Sequence, residues 1–442
     1  MLPEKSKLKP LELSSDFRYA LDMMENSTQS LFITGRAGTG KSTLLSLFRN
    51  TTRKKVVVLA PTGIAALNVK GQTIHSFFAF PPQVIQKDDI KKYHSRKKKF
   101  TSIDVIVIDE VSMVRADLLD GIDMFLRVNR EDPTPFGGVQ MIFFGDLFQL
   151  PPVVSRAAEK QYFSTFYRTP YFFSSKVIED RFPIEMVELA KVYRQDEKHF
   201  IRLLDAIRLR TLDYEDLEDL NMRYQPDFGV QSSYITLCSV NAIADQINNS
   251  NLRGLSTPEF KYQADLGGDF KTRLFPTQQF LALKEGAQVM LLRNDPQKRF
   301  VNGSIALIIY LDEETVKLRL MGGDHDGEEF NLDKVEWEML KYEYNEKSEK
   351  KLEAKVIGTF KQYPLKMAWA ITIHKSQGKT FDRVIIDLGR GAFEFGQSYV
   401  ALSRCRTLDG IVLKRPLKFS DIMVDERIVD FYDGMRRYLP GG

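Results

Sequence analysis

Short apolar runs punctuate the first 190 residues, and each is followed by a stretch with helical spacing. Ser30–Thr34, Val56–Ala60, Ile103–Ile108 and Val139–Phe144 are of strand length and rich in branched or aromatic side chains. The Gly-rich turn after Thr34 leads into a helix predicted from about Lys41 to Arg49. Continuous apolar strands separated by helices predict a parallel sheet covered on both faces. A second alternating block is expected from Pro183. Ile184–Leu189 reads as a strand, Glu197–Arg210 as a helix, Tyr234–Cys238 as a strand and Asn241–Ser250 as a helix. Short strands with close turns follow at Gln288–Leu292, Ser304–Tyr310 and Thr315–Leu320. Between Asp326 and Lys355 lie ten acids and six bases with apolar residues alternating at Val335, Trp337 and Met339, which predicts a charged hairpin turned at Asn345–Lys351. Strand character returns at Trp369–His374 and Arg383–Asp387.

The fold expected is α/β, with two parallel-sheet domains. The first spans residues 1–183, with a small insertion at about 64–100. The second is split into 184–294 and 363–442 by a β-rich insertion at 295–362. The polar run Gln86–Phe100, rich in Lys and Arg, reads as a solvated face or, less favourably, as a contact for phosphates.

Composition narrows the class. The chain has 442 residues, 43% hydrophobic and 28% charged, as in a soluble globular protein, which excludes disordered, collagenous and coiled-coil chains. Its 63 Lys+Arg against 59 Asp+Glu leave a net charge of +4, too small to argue for nucleic acid by itself. No apolar stretch approaches a membrane span, and the start of the chain has no apolar signal core. Two distant cysteines, Cys238 and Cys405, suit a reducing compartment. Neither they nor the five unpaired histidines make a zinc site.

Gly35–Ser42 (GRAGTGKS) fits G-x-x-x-x-G-K-[ST] between a strand and a helix. Backbone amides of Gly38, Thr39, Gly40 and Thr43 suit phosphate oxygens, Lys41 the β- and γ-phosphates, and the Ser42 hydroxyl a Mg²⁺ ion. Asp109-Glu110 closes the strand VIVI. Asp109 is expected to hold the metal through water, and Glu110 to take a proton from the attacking water. Gln149, in GDLFQLPP, suits contact with the γ-phosphate. Arg194 and Arg404 are candidate arginine fingers, although each alone is more often a surface ion pair. Thr62-Gly63, His75, Thr372, His374 and Lys375 sit where loops at strand ends could grip a phosphate backbone. Phe77 or Phe78 could stack on bases, a reading balanced against core packing of the pair.

The ordered series GRAGTGKS, APTGIAALNVKGQTIHSFF, VIVIDEVSM, FFGDLFQLPPV, VYRQ, WAITIHKSQGKTF and YVALSRCR resembles superfamily-one helicases. Asp109–Arg130 is similar to the signature of the Pif-type DNA helicases, close cousins of the RecD-like group. The resemblance runs from about residue 30 to 406. It implies two RecA-like domains with ATP and Mg²⁺ between them, and an SH3-like insertion at 295–362. It also implies 5′→3′ translocation on single-stranded DNA, unwinding at junctions, and activity on forks and G-quadruplexes. Lys41, Ser42, Asp109, Glu110, Gln149, Arg194, Gly378 and Arg404 take the nucleotide roles. Thr62, His75, His374 and Lys375 fall in motifs that contact DNA. The family usually carries Leu-Ser-x-x-Gln before the phosphate loop, where the Gln reads adenine. Here Leu13-Ser14-Ser15-Asp16-Phe17 puts an aromatic ring in its place. The ends are shorter than in many relatives, which suggests a bare motor core. A monomer without membrane association is expected, cytoplasmic in a bacterium or virus, with nuclear and mitochondrial sites left open. An RNA-directed helicase and a non-unwinding ATPase are the alternatives.

Overall fold

The computed structural model describes residues 13–154, 156–195, 197–229, 231, 233–323, 325–344 and 352–437. The expected hairpin turn at 345–351 and the chain start at 1–12 lie outside these. Six strands form the first sheet: β1 (Ser30–Gly35), β2 (Val56–Ala60), β3 (Gln72–Thr73), β4 (Val105–Ile108), β5 (Gln140–Phe144) and β6 (Ile184–Leu189). Their order is β3-β2-β4-β5-β1-β6, and every pair is parallel. The inner strands β1, β4 and β5 are buried along their whole length, which is why they read as unbroken apolar runs. The helix Ala116–Arg130 covers one face with Leu118, Leu119, Ile122, Phe125 and Leu126.

Two expectations fail here. Ile184–Leu189 belongs to the first sheet, paired with β1 from Ser30↔Ile184 to Gly35↔Leu189, so the boundary expected at 183 lies beyond Leu189. Its apolar pattern identifies a strand but not the open edge it fills. Within the expected insertion at about 64–100, Gln72–Thr73 pairs with Leu59–Ala60 and extends the sheet.

The second domain opens with β7 (Ile235–Cys238). An antiparallel module follows: β8 (Glu259–Gln263), β9 (Asp265–Gly268), β10 (Phe280–Lys284), β11 (Gln288–Leu291), β12 (Ile305–Leu311), β13 (Val316–Met321), β14 (Glu329–Asn331), β15 (Val335–Tyr344), β16 (Leu352–Gln362) and β17 (Leu365–Met367). The chain then completes the second parallel sheet with β18 (Ala370–Thr372), β19 (Val384–Asp387) and β20 (Ile411–Leu413), ordered β18-β7-β19-β20. The β-rich insertion therefore runs from 259 to 367, not 295 to 362. Its early strands were missed because they are partly exposed and polar, and β9 is tied in only by distant β16.

The final helix, Glu426–Arg437, leaves the second domain and packs on the first. Phe431 stacks on Phe173 at 4.5 Å between centroids, and the Tyr432 hydroxyl meets Thr34 Oγ1 at 2.5 Å. The expected assignment of 363–442 wholly to the second domain is corrected accordingly. An amphipathic pattern tells which face is buried but not which body buries it.

Candidate nucleotide site between the two sheets

β1 delivers the chain into a loop that only glycine can close at Gly38 (φ +84°) and Gly40 (φ +88°), both left-handed. The helix Lys41–Thr51 starts directly after it, aiming unpaired amides at the loop. Lys41 Nζ donates to Gly35 O at 2.6 Å and Arg36 O at 2.9 Å. Enclosure pushes this ammonium down to about 8, against the pull of Asp146 and Glu110.

Asp109 and Glu110 stand at the end of β4. Enclosure raises both carboxyls above the ordinary range, and for Asp109 the Glu110 charge adds to it. Glu110 holds φ +52°, ψ +47°, a strained region for a residue with a Cβ. Its Oε2 accepts from Gln377 Nε2 at 3.1 Å, so the second domain orients this acid.

Two arginines reach the same space: Arg404 from the second domain, and Arg194 from the segment after β6, which lies against Gly38 of the phosphate loop. Arg404 is 1% exposed and donates to Val400 O (2.9 Å), Ser403 Oγ (2.7 Å) and Lys379 O (3.3 Å). Arg194 donates to Ser403 O at 3.2 Å. Neither has a carboxylate ion pair among the described residues. Enclosure lowers Arg194 to about 9, helped by repulsion from Arg404, and lowers Arg404 to about 10. Beneath them Asp146 pairs with Arg208 at 3.1 Å and accepts from Tyr399 Oη and Gln149 Nε2, each at 3.3 Å. Tyr399 Oη in turn accepts from Ala37 N at 3.0 Å, joining the second domain to the phosphate loop.

These walls enclose a cavity of about 1000 Å³. Gly38, Thr39, Gly40, Lys41, Ser42, Thr43, Asp109, Glu110, Gln149, Arg194, Gly378 and Arg404 all line it. Every residue expected at the nucleotide is thus brought together. Sequence reasoning missed Asp146 and Gln377, although both stand inside motifs it had singled out. At the far end, a methyl placed on Gly40 would lie 3.6 Å from Tyr193 Cε2 and 3.7 Å from Phe17 Cε2. Both aromatic rings line the cavity beside the phosphate loop.

The residues expected at DNA stand elsewhere, and none lines this cavity. Thr62, Gly63 and His75 follow β2 and β3. Thr62 caps a short helix, accepting from Ala65 N at 3.2 Å, and Leu274 of the β-rich module packs on Gly63. Enclosure lowers the half-buried His75 imidazole. Thr372, His374 and Lys375 follow β18. The Thr372 hydroxyl is buried as a cap on Lys375 N (3.3 Å), and His374 Nε2 lies 2.8 Å from Glu394. Phe77 is corrected to a core residue: it is 5% exposed and its ring meets Phe78, Phe100 and Tyr342 edge-on. In the run before Phe100, Lys92 and Lys97 pair with Glu131, while Lys99 is buried over the Phe77 ring at 4.3 Å.

A family model described as PIF1-like helicase matches residues 13–216, and one described as the DNA helicase Pif1 2B domain matches residues 269–311, inside the β-rich module. The chain is 34% identical to the human ATP-dependent DNA helicase PIF1, over 92% of this chain and 62% of that protein. It is 30% identical to the ATP-dependent DNA helicase Pif1 of Bdellovibrio bacteriovorus, over 96% of this chain and 92% of that one. It spans about three fifths of the length of the fungal and mammalian curated relatives it matches. The crystal structure of Bacteroides sp Pif1 in complex with ADP-AlF4 superposes with a TM-score of 0.89 at 34% identity, covering 96% of this chain and 97% of that one. The same relative bound to ssDNA superposes at 0.68, at 35% identity and over the same shares of the two chains. The chain belongs to the PIF1-like helicase family.

Proposed function

We propose that the chain is an ATP-driven DNA helicase that moves 5′→3′ along a single strand and separates the duplex ahead, forks and G-quadruplexes included. The observation that carries this is the convergence of Lys41, Arg194 and Arg404, from two different sheets, on one cavity opposite Asp109 and Glu110. Three recessed cations with few counter-charges suit a triphosphate. Their division between two domains makes its binding a closing force on the cleft.

In this reading the amides from Gly38 to Thr43 cradle the β- and γ-phosphates, and Lys41 neutralises them. Glu110, oriented by Gln377, accepts the proton of the attacking water. Gln149 contacts the γ-phosphate, while Arg194 and Arg404 stabilise the charge that develops on it. Burial raises the carboxyls of Asp109 and Glu110, Asp109 also through its acidic neighbour, and this acid pair lining the same cavity as Ser42 fits a divalent cation. No cluster of three His, Cys, Asp or Glu side chains exists among the described residues, so phosphates and water would complete the shell begun by Ser42 and Asp109. Bound there, Mg²⁺ would supply charge neutralisation across the phosphates. Both walls come from one chain, which supports a monomeric motor.

The strand would run over the loops of Thr62–His75 and Thr372–Lys375, which stand at strand ends in the two domains. Relative motion of those domains then becomes a step along the strand. Among the described residues no helix is long and apolar enough to cross a membrane. The near end-to-end match to a bacterial relative supports action at the nucleoid. The test is unwinding of matched duplexes bearing a 5′ or a 3′ single-stranded tail, of DNA or RNA, with ATP–Mg²⁺. Opening of the 5′-tailed DNA alone is expected. Opening only from a 3′ tail overturns the polarity, and opening only of the RNA-tailed duplex overturns the substrate.

A further inference from the structure

The phosphate loop is held from the second domain by a bond that involves no nucleotide. Ala37 lies one residue before the amides of Gly38 to Thr43, and its N–H is already taken: it donates to Tyr399 Oη at 3.0 Å. The carbonyl of the same peptide unit, Arg36 O, accepts from Lys41 Nζ at 2.9 Å and from Thr39 Oγ1 at 3.0 Å. A peptide unit is planar and trans, so its N–H and C=O point in opposite directions and turn together. Whatever fixes the Ala37 N–H therefore fixes the oxygen that holds Lys41. Tyr399 itself is 3% exposed and does not line the nucleotide cavity.

The surroundings of Tyr399 keep it in that place. It lies in the short helix Gln397–Leu402. Gly396 (φ +72°), just before this helix, runs so close to the first domain that a methyl on it would stand 2.4 Å from Phe148 O and 2.6 Å from Gln149 O. Only glycine allows that approach. The Tyr399 hydroxyl donates to Asp146 Oδ2 at 3.3 Å, which leaves its lone pairs for Ala37. Burial, and then the Asp146 charge, pushes the phenol up, so it keeps this proton near neutral pH. Asp146 is pinned in turn by buried Arg208 at 3.1 Å. The helix Lys198–Leu209 that carries Arg208 also carries Asp205, which pairs with the Arg36 side chain at 2.7 Å. The Arg36–Ala37 peptide is thus held on both flanks, through the Arg36 side chain by Asp205 and through the Ala37 amide by Tyr399.

We propose that Tyr399 is a positioning residue of the nucleotide site: through the Arg36–Ala37 peptide it holds Lys41 in place for the phosphates without touching them. The inference rests on the reading of this cavity as an ATP site, and gives the second domain a hand in affinity for the β-phosphate. In that reading the two arginines act on the γ-phosphate, whereas Tyr399 acts on the empty loop. When its hydroxyl is lost, the peptide is free to turn, Lys41 loses a fixed acceptor, and a ligand must re-order both. That cost falls on binding and not on the chemical step, since bound phosphates hold Lys41 themselves.

The experiment compares wild type, Tyr399→Phe and Tyr432→Phe. Tyr432 is the control, a similarly buried phenol whose hydroxyl meets Thr34 Oγ1 and not the loop peptide. In Tyr399→Phe the Kd for ADP–Mg²⁺ and the Kd for a non-hydrolysable ATP analogue should rise by the same factor, about three- to tenfold. KM for ATP should rise with them while kcat stays within about twofold. Hydrogen exchange at the Ala37 amide, slow in the nucleotide-free wild type, should accelerate in Tyr399→Phe alone. Loss of affinity for the ATP analogue with that for ADP intact would move the role to the γ-phosphate and overturn the proposal. So would a matching loss in Tyr432→Phe, which would trace the effect to a weakened fold. Fast exchange at Ala37 in the free wild type would show that the bond is not made, whether or not the variants fold. Unchanged affinities in Tyr399→Phe sink the positioning role and leave the ATP reading intact. Failure of the wild type to bind either nucleotide removes both.

Discussion

At Glu110 a single backbone conformation and a single hydrogen bond set where the carboxylate stands. Its left-handed φ costs about 1–3 kcal/mol and turns its carboxylate into the cavity, where Gln377 from the other domain meets it. Glu110→Gln keeps the shape and removes the carboxylate proposed as the base. ATP turnover should fall by about 10²–10⁴-fold in a steady-state phosphate-release assay, while nucleotide binding persists. Unimpaired turnover would show that another group takes the proton. Phe17 makes a different prediction. Its ring and that of Tyr193 both line the cavity, and stacking on them would hold a base whatever its edge, so GTP should support turnover within about tenfold of ATP. A strict ATP preference would instead point to a hydrogen bond to the base from another lining side chain, such as Glu197 or Thr407. The residues of the phosphate loop were legible because their chemistry depends on spacing along a few positions. Asp146 and Gln377 were not, because their importance lies in partners 62 and 267 residues away. Phe77 carried no local sign of whether its ring faced solvent or Tyr342.

The hairpin of β15 and β16 is the element whose role the sequence concealed most. Alternation of Val335, Trp337 and Met339 predicts a strand, and register with β16 confirms one. What the alternation cannot reveal is that Tyr342 crosses to the first domain. β3 covers only the last two residues of β2, leaving the Val58 amide beyond its reach. The Tyr342 hydroxyl accepts that N–H at 3.1 Å while its ring lies edge-on to Phe77. Tyr342→Phe keeps the packing but leaves a buried donor unpaired, at a cost of about 1–3 kcal/mol. Denaturant unfolding should register this loss, and hydrogen exchange at Val58 should accelerate. Normal protection at Val58 in the variant would mean that the bond is dispensable. The same logic explains the misplaced β6 and the late start assigned to the β-rich module. Strand character is written locally, whereas pairing depends on which edge remains open once the rest of the sheet has formed.

At the scale of the molecule, the two parallel sheets share one nucleotide cavity, and Arg404 is its most buried cation. With its folded pKa lowered to about 10, below the ordinary arginine range, the unfolded chain binds the proton more tightly than the folded one. The free protein is therefore penalised at neutral pH, and the penalty fades as pH rises through about 10. A ligand that brings negative charge to Arg404 should relieve it. If the guanidinium acts on charge that develops during phosphoryl transfer, a transition-state mimic should benefit more than a ground-state nucleotide. Thermal unfolding of the wild type should accordingly show a larger upward shift with Mg²⁺ and ADP–aluminium fluoride than with a non-hydrolysable ATP analogue at equal occupancy. In Arg404→Met the free protein should melt no lower at pH 7.5, because an unpaired charge has left a buried place. The shift with the ATP analogue should persist, the extra shift with the mimic should vanish, and turnover should fall by about 10³-fold or more. Equal loss of both shifts would instead make Arg404 a ground-state anchor, holding the two sheets together through the nucleotide without taking part in the chemistry.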